Sequence, residues 1–522
     1  MTGAAEAALA ASRAALRRDL AARDFADDGE VLRGPVNWRT PDGQDAVAVV
    51  DIAVPDRYPF GPPAVRLHDP GVPLEVTFHR DPDDSLCLWD TGEPVPDGPW
   101  TNADLLLRRI AGWLENTAAG WPDDEDCDLE RYLPASGQPG IVLFDHDAIR
   151  PLQGYLRTSA TQNTDAVTVV TSTWSPPARA ARNRPAKGRI TVVPSAPRHL
   201  AYAADLGQRQ APVRDWDDIA AALGDRAGEL RGFINQGSVD LLLLWYRRGQ
   251  REAALAVAVQ PGRPPVLKAR EAADTSLAAR TLRAGTSAAD LAARRVTIVG
   301  CGAVGSYIAD LLYRDGVRDL HLIDGQLLRP GNAIRHLAPP RLAGLPKAQA
   351  VKQVLLGYEL GTDDIRASHS KIGTPAQALE ILNGSDLVID ATADQRATAM
   401  LCWAATATGR PMVTACVQRE GGIARADRFP LRGEEEHLPP VPEMPGLAPV
   451  RERGCGDAVS LTPPSAVVAA AELAVELARD ELAPTRAMPA TVIRVLRQQP
   501  DSPYNTLRTL TAGPSAGSRT AS

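Results

Sequence analysis

A glycine-rich turn after an apolar run constrains the fold of this chain more than any other feature. The run Val296–Val299 is typical of a buried strand, and residues 300–305 follow it as Gly-Cys-Gly-Ala-Val-Gly. Alternating strands and helices around this turn predict a Rossmann-like, doubly wound parallel sheet over residues 286–495. The other elements that carry this prediction are a helix from Val304 to about Tyr313 and buried strands at Leu320–Ile323 and Leu387–Ile389.

The turn also predicts a site for the phosphate groups of a nucleotide. Gly300, Gly302 and Gly305 let the backbone and the following helix N-terminus approach an anion. Asp324 ends the next strand, where a carboxylate can bind ribose hydroxyl groups. An NAD-dependent enzyme shares these features, although no pair of residues for hydride transfer is apparent.

The residues after Asp324 distinguish an NAD-dependent enzyme from other classes of nucleotide-binding enzyme. They continue as Gly-Gln-Leu-Leu-Arg-Pro-Gly-Asn-Ala-Ile-Arg-His, followed after seven residues by Gly-Leu-Pro-Lys. This pattern resembles the ThiF-like family of activating enzymes. The resemblance implies that Asp324 holds the ribose of ATP, while Asn332, Arg335 and Lys347 surround the triphosphate. Fixed cations there would offset the repulsion between an attacking carboxylate and the α-phosphate.

The same resemblance implies a magnesium site. The family places an Asp in the segment Asp-Ala-Thr-Ala-Asp, which ends at Asp394. We assign magnesium to Asp394 and keep Asp390 as the alternative, because the local alignment is ambiguous by one residue. Two positions depart from many relatives: Gln326 replaces a second acidic residue, and His336 stands where Gln is frequent.

A second motif surrounds Cys87 near the N-terminus. Residues 58–63 read Tyr-Pro-Phe-Gly-Pro-Pro, His79 lies in the next polar turn, and Cys87-Leu-Trp follows. With Trp100 before the next helix, this order resembles ubiquitin-conjugating enzymes. The resemblance implies that Cys87 carries an acyl group as a thioester.

This motif departs from the family in the turn before the cysteine. The family's His-Pro-Asn is here His-Arg-Asp, so the Asn that would stabilise an oxyanion is missing. Asp81, or one of Asp83 and Asp84, is expected instead to deprotonate an incoming amine.

The spacing of the cysteines indicates which metal sites and disulfide bonds the chain can form. None of the six forms Cys-x-x-Cys, so no structural zinc is expected, and the absence of a disulfide framework favours the cytoplasm. Cys455 lies between glycines and near two arginines, which favours a reactive thiol in the activating domain. Cys416 is the alternative nucleophile. The remaining three, Cys127, Cys301 and Cys402, have no predicted catalytic role.

The distribution of charge excludes one class of partner. The net charge is −7, and residues 1–135 hold 12 Arg and no Lys against 26 Asp and Glu. This acidic front argues against nucleic acid as the partner. No apolar stretch approaches the length of a membrane span, so no membrane association is expected.

The patterns divide the chain into four parts. We predict an α+β ubiquitin-conjugating-like domain over 1–135 and an α/β connecting domain without a catalytic pattern over 136–285. The ThiF-type adenylation domain follows over 286–495, and a disordered tail over 496–522. The expected elements before residue 285 are a helix over 4–24 and strands at Val47–Val54, Ala64–Leu67, Ile141–Phe144, Val167–Thr171, Ile190–Val193, Leu241–Tyr246 and Ala254–Val259.

The order of the two motifs is similar to fusion proteins of bacterial antiphage islands, including those called CBASS. That resemblance implies adenylation of a protein C-terminus, thioester formation on Cys455, transfer to Cys87 and attachment to a target amine. The implied partners are the tail of a ubiquitin-like protein or of a cGAS-like nucleotidyltransferase, and a second copy of the chain in a homodimer. Two alternatives stay open: a sulfur-carrier-type adenylyltransferase with a partner-binding front domain, and an interaction protein with a decayed conjugating domain.

Overall fold

The chain divides into two compact units, Met1–Ser276 and Leu277–Ser522. No helix in the described part of the chain is long and apolar enough to span a membrane. Cys455 and the predicted strand Ile190–Val193 lie outside the described residues. The computed structural model describes residues 3–75, 78–89, 98–122, 124, 127–137, 139–160, 167–175, 199–361, 364–443, 450–451, 458–483 and 487–512.

The N-terminal unit begins with an antiparallel sheet that packs one face against two helices. Alternate residues of β2 (Leu32–Arg39) and β3 (Asp45–Ala53) are buried, because successive side chains of a strand point to opposite faces. Leu16 and Leu20 of the first helix and Ile110 of the second complete this core. The elements are α1 (Gly3–Ala21), β1 (Ala26–Asp27), β2 (Leu32–Arg39), β3 (Asp45–Ala53), β4 (Ala64–Asp69) and α2 (Ala103–Ala118).

A second, eight-stranded sheet follows in this unit. The elements are β5 (Val142–Phe144), α3 (His146–Ile149), β6 (Gly154–Ala160), β7 (Val167–Trp174), β8 (Leu200–Gln208), α4 (Trp216–Leu223), α5 (Arg226–Asn235), β9 (Val239–Arg248), β10 (Arg251–Gln260), β11 (Val266–Ala269) and β12 (Ala272–Asp274). The strands lie in the order β11-β10-β9-β8-β6-β7-β5-β12, and four of those expected from the sequence correspond to β5, β7, β9 and β10. Leu129, Tyr132 and Leu133, which the sequence places in the first domain, pack into the core of this second sheet.

The C-terminal unit contains the predicted strand–helix alternation. Its helices are α6 (Leu277–Thr281), α7 (Ala288–Ala292), α8 (Ala303–Asp315), α9 (Lys347–Leu356), α10 (Pro375–Asn383), α11 (Gln395–Thr408) and α12 (Pro464–Leu482). Its strands are β13 (Arg295–Val299), β14 (Asp319–Ile323), β15 (Asp364–Ser368), β16 (Leu387–Asp390), β17 (Met412–Gln418), β18 (Ile423–Phe429), β19 (Val450–Arg451), β20 (Ala458–Val459), β21 (Thr491–Val495) and β22 (Thr509–Thr511).

The main sheet of this unit has the order β15-β14-β13-β16-β17-β18-β21-β22, and its first five strands are parallel. Helices α8, α9 and α12 pack on one face, and α10 and α11 pack on the other. The prediction of a doubly wound, Rossmann-like fold in an α/β multidomain chain is therefore confirmed. The strand order reverses at β13, which places a ligand crevice at the carboxyl ends of the strands there.

The end of the chain differs from the sequence-based expectation. The predicted disordered tail begins at residue 496, but Thr509–Thr511 pairs with β21 and extends the main sheet. Leu510 also packs beside the cluster that contains Ile493 and Tyr504. Three residues of low apolar content carry too little pattern for a sequence to reveal an edge strand.

Candidate functional site

A cavity of about 540 Å³ lies at the carboxyl ends of the parallel strands in the C-terminal unit. Most of the residues that the sequence assigns to a nucleotide site form its wall. They come from five separate segments, because parallel strands end at one edge of a sheet. These lining residues are Gly300, Gly302, Asp324, Arg335, Lys347 and Asp394.

The glycine-rich turn has a steric basis at two positions. Gly300 has φ +90°, and a Cβ there would lie 2.7 Å from backbone atoms of Ala391 and Thr392. A Cβ on Gly305 would lie 1.8 Å from the Gly300 carbonyl oxygen, so this glycine permits close packing of α8 on the turn. Gly302 is the N-cap residue of α8, and among the described residues no side chain caps the first amides of this helix. Those amides are suited to a bound anion.

Asp324 joins the glycine-rich turn to the next loop. Its Oδ2 accepts a hydrogen bond from the Cys301 amide at 2.8 Å, and its Oδ1 accepts one from the Gln326 amide at 2.7 Å. The carboxylate is thus held at the end of β14, beside the cavity, in the orientation that two backbone donors impose. This is the position that a ribose-binding carboxylate requires.

The cavity wall contains two cationic side chains, Lys347 and Arg335, and each donates a hydrogen bond to a neutral acceptor. Lys347 Nζ donates to Gln326 Oε1 at 2.7 Å, and Arg335 Nη1 donates to the Ser460 carbonyl at 2.6 Å. Burial lowers the pKa of Lys347 below its ordinary value, although the Asp324 carboxylate opposes that shift. Gln326 is neutral, so this contact does not pair Lys347 with a carboxylate.

Asn332 lies near the cavity but does not line it. Its Oδ1 accepts a hydrogen bond from the Arg329 amide at 3.0 Å, within a short turn over Pro330–Asn332. The structure therefore gives Asn332 the role of shaping the loop that carries Arg335. Direct contact between Asn332 and a phosphate remains a prediction.

The two candidate magnesium ligands have different environments. Asp390 is 3% exposed, and its carboxylate accepts hydrogen bonds from Thr392 and Thr398. Asp394 lines the cavity and is exposed, and its Oδ1 caps α11 by accepting from the amides of Arg396 and Ala397. A carboxylate on the cavity wall fits a hard cation, so the geometry favours Asp394 over Asp390.

Cys87 lies in the N-terminal unit at the end of an ordered turn. The Cys87 amide donates to the His79 carbonyl at 2.9 Å, and the Leu86 amide donates to Val65 at 2.7 Å. The thiol is partly exposed, and Arg131 Nη1 donates to its Sγ at 3.3 Å. Sequence reasoning missed Arg131, because 44 residues separate it from Cys87.

Each of the three acids expected near Cys87 has an arginine partner. Asp81 pairs with Arg131 at 2.8 Å, Asp83 with Arg66 at 2.7 Å, and Asp84 with Arg80 at 2.8 Å. The Arg131 guanidinium thus contacts both Asp81 and Cys87, and so connects this acid to the thiol. Its role as a proton acceptor remains a prediction.

A group of potential metal ligands lies behind the same turn. His79, Asp124 and Cys127 have ligand atoms within 4.8 Å of one another. However, one oxygen of Asp124 already accepts hydrogen bonds from both His79 Nε2 and Arg248 Nη1. Burial raises the pKa of Cys127 to about 11, which disfavours the thiolate that a metal would need. The arrangement is that of an ion-paired network with Arg248 as its cation.

Comparison with known protein families finds a match for the segment that forms most of the cavity wall. Residues 277–426 match the model of the ThiF family. The chain contains a ThiF domain. This match spans β13 to β17 and most of β18, and so includes every predicted nucleotide-site residue.

Two curated proteins and one solved structure are each similar to part of this chain. The ATP-dependent ubiquitin transferase-like protein Cap2 of Escherichia coli is 32% identical over 126 residues, which are 23% of this chain and 20% of that protein. The adenylyltransferase and sulfurtransferase MOCS3 of Bos taurus is 30% identical over 133 residues, 25% of this chain and 29% of that protein. A crystal structure of E. coli MccB with MccA-N7isoASN has 16% identity, a TM-score of 0.35, and coverage of 44% of this chain and 66% of that one. The chain spans about a quarter of the length of the curated relatives it matches.

Lys371 and Cys416 also line the cavity. Lys371 follows β15, and its side chain lies against Gly325, where an added Cβ would be 2.3 Å from Lys371 Cγ. Sequence reasoning missed Lys371, because a single lysine after a strand has no distinctive pattern. Cys416, the alternative nucleophile, also lines the cavity, but burial raises its pKa to about 11. Cys455 lies outside the described residues, so the choice between these thiols remains a prediction.

Proposed function

We propose that this chain activates a protein C-terminal carboxylate with ATP and transfers it through two cysteines to a target amine. The observation that carries the proposal is the convergence of Asp324, Arg335, Lys347 and Asp394 on one cavity beside an uncapped helix N-terminus. This set supplies a ribose ligand, two cations and a carboxylate for a hard metal ion. A ThiF domain similar to that of Cap2 and MOCS3 supports adenylation as the first step.

In the first step, an oxygen of the substrate carboxylate attacks the α-phosphorus of ATP. The bond from that phosphorus to the bridging oxygen breaks, and pyrophosphate leaves. Lys347, Arg335 and the α8 amides stabilise the charge that accumulates on the phosphoryl oxygens. Asp324 fixes the ribose, and Asn332 orders the loop of Arg335. Magnesium, when bound at Asp394, neutralises part of the triphosphate charge.

In the next steps, the acyl group moves between thiols. Cys455 attacks the acyl carbon of the adenylate, and AMP leaves with the electrons of the broken bond. Cys87 then takes the acyl group by thioester exchange, and an amine attacks that thioester while Asp81 accepts its proton. The order of charged turn, thiol and Trp100 around Cys87 supports a ubiquitin-conjugating-like domain over 1–135. The raised pKa of Cys416 supports Cys455 as the first nucleophile.

The proposed partners follow from this chemistry. The substrate is the C-terminal tail of a ubiquitin-like protein or of a cGAS-like nucleotidyltransferase, and the acceptor is an amine of a target protein. The printed name of Cap2, an ATP-dependent ubiquitin transferase-like protein, supports this class of substrate. We place the reaction in cytoplasmic antiphage defence of the CBASS type and expect a homodimer.

A second function is favoured by the similarity to MOCS3, an adenylyltransferase and sulfurtransferase. In that case the ThiF domain would adenylate a sulfur-carrier protein, and the front domain would bind partners without acting as a catalyst. Loss of Cys87 would then leave ATP-dependent turnover and product formation unchanged.

Intact-protein mass spectrometry separates the two functions. The chain is expressed with its neighbouring genes as wild type and with Cys87→Ala, Cys455→Ala or Cys416→Ala. We expect a thiol-sensitive adduct on Cys455 in the Cys87→Ala protein, and its loss in the Cys455→Ala protein. An adduct that none of the three substitutions changes would contradict the relay and favour the sulfur-carrier function.

A further inference from the structure

We propose that Arg131 is a catalytic residue of the Cys87 site, and that the second sheet of the N-terminal unit holds it there. The inference rests on the proposed function, because it names the group that stabilises the Cys87 thiolate as it attacks and leaves. It also gives a role to residues 136–285, for which the sequence offered none.

The guanidinium of Arg131 spans the two groups that the reaction uses. Nη1 donates to Cys87 Sγ at 3.3 Å, and Nη2 pairs with Asp81 Oδ1 at 2.8 Å. A planar guanidinium fixes the separation of two such contacts, which a lysine cannot do. The sulfur therefore has a permanent cation within hydrogen-bonding distance, and a cation so placed favours the thiolate over the thiol.

The charge of Arg131 is secure in this setting. Burial acts to lower the pKa of the guanidinium, but the negative charges of the Cys87 thiolate and of the Asp81 and Asp128 carboxylates raise it more, so the pKa lies above its ordinary value. The side chain is 39% exposed, which leaves its outer face open to an incoming acyl group.

The second sheet fixes the segment that carries Arg131. Tyr246 of β9 donates its hydroxyl to the Leu129 carbonyl, and the Ala254 amide of β10 donates to Glu130 Oε1 at 3.0 Å. Tyr132, next in sequence, is buried in the core of this sheet. Arg131 is thus placed by contacts with residues more than 100 positions away.

The same core also fixes the turn that carries Cys87. Phe78 belongs to the buried cluster of the second sheet, and the Tyr132 hydroxyl accepts from the His79 amide at 3.2 Å. The His79 carbonyl in turn accepts from the Cys87 amide. Thiol and guanidinium are therefore anchored to one core, which keeps their separation constant while substrates bind.

Each chemical step uses this contact. When Cys87 attacks an acyl carbon, its sulfur acts as the thiolate that Arg131 stabilises. When an amine nitrogen later attacks the Cys87 thioester, the carbonyl electrons move to oxygen. The tetrahedral species then collapses, the carbon–sulfur bond breaks, and its electron pair returns to sulfur beside Nη1. The amine proton passes to Asp81, and Arg131 offsets the negative charge that develops where the family's Asn is missing.

Alkylation of Cys87 tests the contact without any knowledge of the modifier. The full chain is treated with iodoacetamide between pH 5 and 10, and peptide mass spectrometry follows the rate at Cys87. In Arg131→Gln we expect the midpoint of the rate profile to move up by about one pH unit, since about tenfold in thiolate population is lost. In Arg131→Lys the midpoint should rise by less, because lysine keeps the positive charge but cannot make both contacts of the planar guanidinium.

Arg66→Gln is the matched control. It removes a positive charge of β4 that pairs with Asp83 of the Cys87 turn, and leaves both Arg131 contacts in place. Its alkylation profile should match wild type. An Arg131→Gln profile that also matches wild type, in protein with unchanged thermal unfolding, would overturn the inference.

The transfer reaction separates this inference from the proposed function. In protein expressed with its neighbouring genes, Arg131→Gln should slow amine discharge of the Cys87 thioester by at least about tenfold. Transfer that persists in Cys87→Ala would defeat the proposed function itself. Transfer that needs Cys87 but proceeds at the wild-type rate in Arg131→Gln would defeat the role of Arg131 alone.

Discussion

The nucleotide cavity and the Cys87 site are built in different ways. The cavity draws its residues from the loops that follow the parallel strands of one sheet, whose carboxyl ends lie at the same edge. The Cys87 site combines a turn after the first sheet with a segment that the second sheet holds. The first arrangement is local to one fold, whereas the second depends on long-range contacts.

This difference explains which features a sequence can reveal. A motif such as Gly-x-Gly-x-x-Gly followed by Asp324 has fixed spacing, because strand and helix lengths fix where each loop falls. Contacts such as that between Arg131 and Cys87 have no such spacing. From this comparison we predict that substitutions of cavity residues change the nucleotide chemistry and leave Cys87 unaffected. Substitutions of residues that hold the Arg131 segment should change the reactivity of the Cys87 thiol, although they lie far from it in the sequence.

The largest expected effect is that of Lys347→Ala on adenylation. Removal of one fixed cation from the phosphate site should lower the rate of substrate-dependent pyrophosphate exchange by about 10²–10³-fold. The measurement uses protein co-purified with its modifier. Arg341→Ala removes an exposed arginine outside the cavity wall and should leave the rate unchanged. Equal losses in both variants would show that net charge, and not the Lys347 position, matters.

Two glycines of one turn should respond differently to the same substitution. Gly305→Ala places a Cβ 1.8 Å from a carbonyl oxygen, and we expect a loss of about 1–3 kcal/mol in the free energy of unfolding. Gly302→Ala meets no atom within 4 Å, so its stability should stay within about 0.5 kcal/mol of wild type. Urea denaturation of the full chain compares them.

The nucleotide affinity of the two glycine variants provides a further check. Gly302 lines the cavity, so an added methyl group there should weaken ATP binding although the fold is intact. If Gly302→Ala were instead the less stable variant, the described packing of α8 on the turn would be wrong.

The two aspartates of the magnesium segment should separate binding from stability. Asp394→Asn keeps an acceptor at the N-cap of α11 but removes the charge, so the magnesium concentration for half-maximal exchange should rise about tenfold, or about 1.4 kcal/mol. Asp390→Ala leaves the donors of Thr392 and Thr398 unsatisfied and should cost about 1–3 kcal/mol of stability. A magnesium effect confined to Asp390→Ala would reverse the assignment.

The smallest effect tests the long-range support of the Cys87 site. Tyr246→Phe removes the hydroxyl that bonds the Leu129 carbonyl and should cost about 1 kcal/mol of stability. Because the segment of Arg131 is then less constrained, the pH midpoint of Cys87 alkylation should rise, though by less than in Arg131→Gln. Tyr155→Phe, which alters another buried tyrosine of the second sheet, should leave the midpoint unchanged.

The sequence predicted the doubly wound fold because buried parallel strands appear as short apolar runs between helices. It also predicted Asp324, Arg335 and Lys347 on one cavity. It did not predict Lys371 on that wall, since a single lysine after a strand has no distinctive pattern. Nor did it predict that the segment 127–133 packs on the second sheet. A pattern of apolar residues indicates which side chains are buried, but it does not identify the element against which they pack.

The most direct test of the account is calorimetric titration of the full chain with ATP and magnesium, compared with NAD as the competing ligand. The account predicts saturable ATP binding that Lys347→Ala weakens by at least about tenfold. It also predicts that Cys87→Ala leaves the affinity unchanged and that NAD does not compete. Binding of NAD in preference to ATP, or ATP binding that is indifferent to Lys347→Ala, would contradict the proposed adenylation site.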